Sequence, residues 1–307
     1  MDPATPQQYD DSAPWAVALF AHNVEATVVA SLRSLLASAG DHPLVIHVLA
    51  NGCRDRTEQR VRTFAAEQPA VRLHSIARAD KADAWNHYVH ELAPDVEAHI
   101  FADGDVTVSP EALEALTVSL EAEPHLAAVG AMPTSGRSRE AWRRRMVRNG
   151  ALAGGLYALR GTFLARIRAA GLRLPIGFIG EDQLVSLMVR EDLGQAAGAP
   201  AQARLSFNHH AGFAFRSLSP LRPGDWLRYW RRRRRYRLRG YQMSLLIAWL
   251  QQKGWQALPD TVDQLYAWPE RLPQLSWHGR ETLFAWLALR QMARARRRAK
   301  RTEEARP

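Results

Sequence analysis

The sequence predicts an α/β protein in which a mostly parallel sheet carries helices on both faces, followed by a mainly helical, basic C-terminal region. Three observations predict it. Apolar runs of strand length alternate with helical patterns through the first 120 residues or so. Polar residues of the kinds that make turns and bind ligands follow each apolar run. Arginine accumulates in the second half, over residues 143–148, 228–239 and 290–301, whereas the first half mixes both signs of charge.

Taken in order, WAVALFA (15–21) reads as a strand, followed by a helix over 25–38 with Asn23 as its cap and Gly40 at its end. LVIHVLA (44–50) precedes a helix over about 57–67, and VRLHSI (71–76) precedes one over 82–92. AHIFA (98–102) leads to Ser109-Pro110-Glu111, where serine suits an N-cap and proline the first helical position. Residues 1–13 are polar and acidic and read as a loose tail. The α/β domain is expected over 14–215 and the basic helical region over 216–307.

With 307 residues and 47% hydrophobic content, the chain can bury a sizeable core. Its one cysteine, Cys53, excludes an intramolecular disulfide framework and reads as structural. With no secretion signal in view, the expected location is the cytoplasm. No apolar run approaches the roughly 18 residues of a membrane-crossing helix. A formal net charge of +10 calls for an anionic partner: a diphosphate, an acidic membrane face or nucleic acid.

In a parallel sheet, ligands bind at the carboxyl ends of the strands. Here those ends carry His22-Asn23-Val24-Glu25, Asn51-Gly52-Cys53-Arg54-Asp55, Asp80-Lys81 and Asp103-Gly104-Asp105. Any one of these loops could be only a turn, but together they suit a metal and a nucleotide. Asp103 and Asp105, one residue apart after a buried strand, can face a divalent cation, Mg2+ or Mn2+, on a diphosphate. Glu181 and Asp182 precede QLVSLMVRE (183–191), where they either favour the helix dipole or supply a general base. His209 and His210, after the apolar segment RLSF, read by themselves as a surface or core pair.

The order of these motifs resembles that of the family 2 glycosyltransferases with the GT-A nucleotide-sugar fold. His22-Asn23-Val24-Glu25 is similar to that family's Tyr-Asn-Glu loop, NGCRDRT (51–57) to its Asn-Gly-Ser-Thr-Asp-x-Thr turn, and Lys81-Ala82-Asp83-Ala84-Trp85-Asn86 to Gly-Lys-x-x-Ala-x-Asn. Asp103-Gly104-Asp105 stands where its Asp-x-Asp motif belongs. The segment 154–160, GGLYALR, resembles its acceptor-side segment, and Gly180-Glu181-Asp182 its Glu-Asp motif.

The resemblance implies transfer of a sugar from a nucleotide-diphosphate donor, a UDP-sugar first among them, to a hydroxyl of a saccharide or lipid-linked acceptor. It implies an inverting displacement with Asp182 as base and Glu181 beside it. Asp105 would anchor the metal, and Asp103 would contact the ribose or metal-bound water. His22, Glu25, Asn51 and Lys81 would help hold the nucleotide, and His209 would complete the metal site. The implied role is cell-surface, exopolysaccharide or glycolipid synthesis. Ala50 stands where many members place a base-contacting aspartate, which leaves the nucleotide base open. Arg232 and Arg235-Tyr236 match the Gln-x-x-Arg-Trp region of processive members poorly, which speaks against polymer synthesis.

Two other function classes compete. A nucleic-acid-binding protein would use the arginines interleaved with Trp226, Tyr229, Trp230 and Tyr236, yet no helix-turn-helix, zinc-ligand spacing or RNP strand accompanies them. A non-catalytic scaffold would not need Asp103, Asp105 and Asp182 together. The segments 241–255 and 282–301 either pack an apolar face on the core or attach the protein peripherally to the inner face of the plasma membrane through the basic residues 290–307.

Overall fold

The computed structural model describes residues 15–195, 204–219, 221–270, 272–277 and 279–304, so the tail expected over 1–13 lies outside the described residues. Strands β1 (Trp15–Ala21), β2 (Leu44–Asn51), β3 (Val71–Ile76) and β4 (Ala98–Asp103) pair in parallel in the spatial order β3-β2-β1-β4. β1 is buried along its whole length, which is why it reads as an unbroken apolar run. Beyond β4 come β5 (Val106–Val108), β6 (Ala128–Pro133), β7 (Leu156–Arg160) and β8 (Leu205–Phe215), completing an eight-stranded sheet in the order β3-β2-β1-β4-β7-β6-β8-β5. β7 runs antiparallel to both β4 and β6, β8 pairs in parallel with β6, and β5 pairs antiparallel with β8. The carboxyl ends of β1, β2, β4, β6 and β8 and the start of β7 therefore share one edge.

The helices are α1 (Val28–Ala39), α2 (Thr57–Ala65), α3 (Lys81–His87), α4 (Ala112–Ala122), α5 (Arg139–Asn149), α6 (Gly161–Ala169), α7 (Glu181–Arg190), α8 (Pro223–Lys253), α9 (Val262–Ala267) and α10 (Thr282–Glu304). Two starts differ from the expectation because the capping side chains are used elsewhere. Asn23 adopts a left-handed conformation (φ 52°), and its side-chain oxygen accepts from Arg54 N, so α1 begins only at Val28. Ser109 Oγ donates to His210 O and accepts from Gly212 N, fixing β8, and α4 begins at Ala112.

Two apolar clusters cover the faces of the sheet. Leu32 and Leu35 of α1 and Leu113 and Leu116 of α4 pack with Leu19 and Ile46 on one face. On the other, Trp85, Tyr88, Phe101 and Tyr157 join Leu184 of α7, Leu246 and Trp249 of α8 and Met292 of α10. The apolar residues of 241–250 are thus largely consumed in the core. Of the described residues, no helix is long and apolar enough to cross a membrane.

Two strands also bury histidines, and a third carries a half-buried one beside them. His47 Nδ1 lies 3.1 Å from His74 Nε2, and His99 Nδ1 lies 2.8 Å from the Tyr88 hydroxyl. Burial holds His47 and His99 at about 3, far below the usual 6.5. Between pH 3 and 6.5 the unfolded chain therefore binds protons that the native protein refuses, so stability is complete above pH 6.5 and falls as pH drops below it. The two groups together predict a loss of about 2 kcal/mol per pH unit in that window. Urea unfolding at pH 7, 6 and 5 checks it, and a midpoint independent of pH would contradict it.

Candidate active site

The site is built where β1, β2 and β4 end. β2 ends at Asn51, which is buried, with an Oδ1 that has no hydrogen-bond partner. His22 donates through Nδ1 to Asn51 O at 2.6 Å and accepts from Asn23 Nδ2 at 3.0 Å. Glu25 Oε2 accepts from Arg56 N at 2.9 Å, and Glu25 N donates to Asp55 Oδ2 at 3.1 Å, so the first loop and the 51–57 turn brace one another. Cys53 Sγ donates to Ala21 O at 3.3 Å, filling the same turn.

Lys81 stands at the N-terminus of α3. That helix is pinned below by Trp85, whose Nε1 donates to Tyr157 OH at 3.3 Å, and by Asn86, which exchanges hydrogen bonds with the backbone of Leu174. Asp80 caps it, accepting from Asp83 N and also from Gly177 N, each at 2.8 Å, so the loop before α7 is tied to α3. The Lys81 ammonium then bridges two carboxylates, 2.5 Å from Asp103 Oδ1 and 2.6 Å from Glu181 Oε1. Burial opposes the charge on Lys81, but Asp103 and Glu181 outweigh it and raise its pKa. Burial drives the Asp103 carboxyl up to about 7; Lys81 restrains the rise, and Asp105 and Glu181 add to it. Burial also opposes ionisation of Glu181, yet Lys81 keeps it below its ordinary value.

Asp182 has both oxygens engaged. Oδ2 accepts from Gly154 N at 3.0 Å, while Oδ1 accepts from Gln183 N at 2.9 Å and from Arg239 Nη2 at 2.7 Å. Burial raises its pKa, Arg239 works against the rise, and Glu181 adds to it. Two glycines make the arrangement possible. A methyl group at Gly154 would lie 3.1 Å from both Glu181 Oε1 and Lys81 Nζ, in the middle of the cluster. Gly180 turns the chain into α7 at φ +101° against the Arg239 side chain, where a Cβ would meet Nε at 2.4 Å.

The structure therefore brings Lys81, Asp103, Glu181 and Asp182 together, with His22, Glu25 and Asn51 on the neighbouring loops of the same edge. Asp105 is exposed and makes no hydrogen bond or ion pair among the described residues. Among those residues no group of three or more His, Cys, Asp or Glu side chains could by itself hold a metal. One or two carboxylates still fit a hard cation that takes its remaining ligands from water and substrate phosphates.

His209 is not brought to this cluster. β8 meets β5 through Phe215 opposite Val106 and Phe213 opposite Val108, which leaves the Phe215 end beside Asp105. His209 is exposed farther back, within the irregularity between Phe207 and Gly212. Its neighbour Asn208 donates to Ala115 O and Ser119 Oγ of α4. Arg239 was not singled out as a site residue by the sequence, because its arginine run offers no signal for which member turns inward.

Comparison with known proteins agrees with the α/β fold. The family described as glycosyl transferase family 2 matches residues 16–177, more than half of the chain. No curated protein sequence matches. Among solved structures, a mannosyltransferase from Pyrobaculum calidifontis, in complex with GDP-Man and Mn2+, is similar with a TM-score of 0.59 and 18% identity, covering 92% of this chain and 76% of that one. Glucosyl-3-phosphoglycerate synthase from Mycobacterium tuberculosis, in complex with Mn2+, UDP and phosphoglyceric acid, is similar with a TM-score of 0.50 and 21% identity, covering 81% of this chain and 80% of that one. At such identities the likeness is one of fold.

Proposed function

The chain belongs to glycosyl transferase family 2, and from that premise we propose that it is an inverting enzyme that moves a sugar from a nucleotide-diphosphate donor to an acceptor hydroxyl. The observation that carries the proposal is the convergence of Lys81, Asp103, Glu181 and Asp182 on the edge where the strands end. In the proposed step the acceptor oxygen attacks the anomeric carbon, the bond from that carbon to the diphosphate oxygen breaks, and Asp182 receives the hydroxyl proton. Arg239 and Gly154 N orient the Asp182 carboxylate for this role. Glu181 holds the Lys81 ammonium at the cluster, where it and the 51–57 loop meet the donor. Asp105 and Asp103 would hold a divalent cation, Mg2+ or Mn2+, which when bound supplies positive charge against the diphosphate.

The division proposed for the chain is a donor-binding domain over 14–215 and a helical region over 216–307. The latter supplies Arg239 and completes the acceptor side. The acceptor is proposed to be a saccharide or lipid-linked hydroxyl used in cell-surface glycan or glycolipid synthesis, reached by peripheral contact with the inner membrane face.

A screen of UDP- and GDP-sugars with Mn2+, with Mg2+ and with chelator tests the proposal. The expected result is release of nucleoside diphosphate from one donor class, lost on chelation, with inversion at the anomeric carbon of any product followed by NMR. No release from any donor, or retention of configuration, would overturn it.

A further inference from the structure

Over residues 226–242, α8 uses two opposite sides differently. On one, the Trp230 ring lies 5.0 Å from that of Phe284 in α10, and Arg233 and Arg237 pair with Glu281. On the other, Arg239 holds Asp182 Oδ1, while Gln242 accepts from Ile179 N and donates to Gly177 O. At 3.6 residues per turn and 1.5 Å per residue, Arg235, Arg232 and Arg228 fall within about 40° of Arg239 around the axis and roughly 6, 11 and 17 Å before it. The side that meets Asp182 therefore continues as a row of arginines, with Arg231 at its edge.

The row has no counter-charge in the protein. All four arginines are exposed, and none forms an ion pair among the described residues. Arg232 donates through Nε to the Tyr236 hydroxyl at 2.7 Å; Arg228 and Arg235 make no hydrogen bond among the described residues. Like charges three or four residues apart on a helix repel one another, and after Asp225 the helix carries no acidic residue as far as Lys253 to offset them. The nearby acids are engaged elsewhere: Glu281 with Arg233 and Arg237, Glu181 with Lys81, Asp182 with Arg239, and the buried Asp225 with Arg216 and Ser219 N.

We infer that this row binds phosphate on the acceptor, so that the substrate glycosylated is a phosphate-bearing sugar and not a neutral one. The inference rests on the sugar transfer and the role of Asp182 proposed above. The attacked hydroxyl lies at Asp182, and Arg235 stands one helical turn from Arg239, about 6 Å along the axis, a separation that one sugar ring spans. Arg232 and Arg228 extend the row toward a second phosphate, as a sugar diphosphate would present it. The donor diphosphate has its own proposed counter-charges in Lys81 and the cation at Asp105, which leaves the row for the acceptor. Every position in the row is arginine, whose planar fork can pair with two phosphate oxygens at once. A free sugar phosphate and a lipid-linked sugar diphosphate share this chemistry.

Acceptor assays with the donor found in the screen above test the inference. The acceptors are monosaccharides, the same sugars as 1-phosphates, uronic acids, and a polyprenyl diphosphate-linked sugar in detergent. The expected result is turnover with a sugar 1-phosphate or with the lipid-linked diphosphate, which tells the two sources apart, and kcat/KM on the order of a hundredfold lower for the matching neutral sugar. Replacing Arg228, Arg232 and Arg235 together by Ser should raise the acceptor KM on the order of a hundredfold, with the donor KM and the unfolding midpoint unchanged. Better turnover of a neutral sugar or a uronic acid, or an unchanged acceptor KM in the triple variant, overturns this inference and leaves the transferase reading standing. A rise in the donor KM instead assigns the row to the donor diphosphate and overturns it as well. If no donor or acceptor turns over, calorimetry of the sugar 1-phosphates and the lipid-linked diphosphate in chelator reads the row without catalysis: binding that the triple variant loses supports it, and absence of binding to the unaltered protein overturns it.

Discussion

Asp182→Asn is expected to lower turnover by about a hundredfold or more while leaving donor affinity close to that of the unaltered protein. The amide cannot take the acceptor proton, whereas the proposed donor contacts are Lys81, Asp103 and the loops that end β1 and β2. The substitution also leaves Arg239, only 21% exposed, without its carboxylate at 2.7 Å. Loss of one partner from such a pair is destabilising in itself. Calorimetric donor binding must therefore accompany the turnover measurement, to show that the site is intact. A second variant separates positioning from chemistry. Arg239 holds the Asp182 pKa down against burial, so Arg239→Met should move the acidic limb of the pH–rate profile to higher pH. Turnover like that of the unaltered enzyme from Asp182→Asn would remove Asp182 from its proposed role. An unmoved profile in Arg239→Met would reduce Arg239 to a packing residue.

Asp105→Ala is expected to abolish the metal dependence of donor binding and to weaken that binding on the order of a hundredfold in the presence of Mn2+. Asp105 is exposed and makes no hydrogen bond or ion pair among the described residues, so the unfolding midpoint should not change. Calorimetry of a UDP- or GDP-sugar, with Mn2+ and with chelator, reads both arms. The variant in Mn2+ should resemble the unaltered protein in chelator. Unchanged affinity and unchanged metal dependence would show that the cation, if one is used, is held elsewhere. His209 offers no ready substitute, because it lies in the middle of β8, several residues before the Phe215 end that adjoins Asp105.

The family and the α/β architecture were legible in the sequence because their signals are local. A strand buried on both faces, such as WAVALFA at Trp15–Ala21, needs a continuous apolar run. The edge where such strands end was legible for the same reason: Asn51, Lys81 and Asp103 each follow or close an apolar run or open a helix within a few residues of it. Helix starts were less so, since Asn23 and Ser109 have side chains able to cap a helix but spend them on partners 31 and about 100 residues away.

What only the tertiary structure decided depends on long-range register and packing. The reversal of β7 between β4 and β6 places Gly154 N against Asp182, and no local pattern encodes that antiparallel return. The register of β8 on β5 and β6 sets Phe215, not His209, beside the strand that follows Asp105; the sequence neighbourhood of His209 is compatible with either position. Arginines 231–235, 237 and 239 look alike in sequence, yet packing of the second half of α8 on the core brings Arg239 to Asp182, whereas Arg228, Arg231, Arg232 and Arg235, earlier on the same helical stripe, are exposed. Sequence alone determined which chemical groups the strand ends carry, because composition and local periodicity suffice for that. Tertiary structure decided which of the remaining charged groups join them, because burial and distance between residues far apart in the chain are properties of the folded whole.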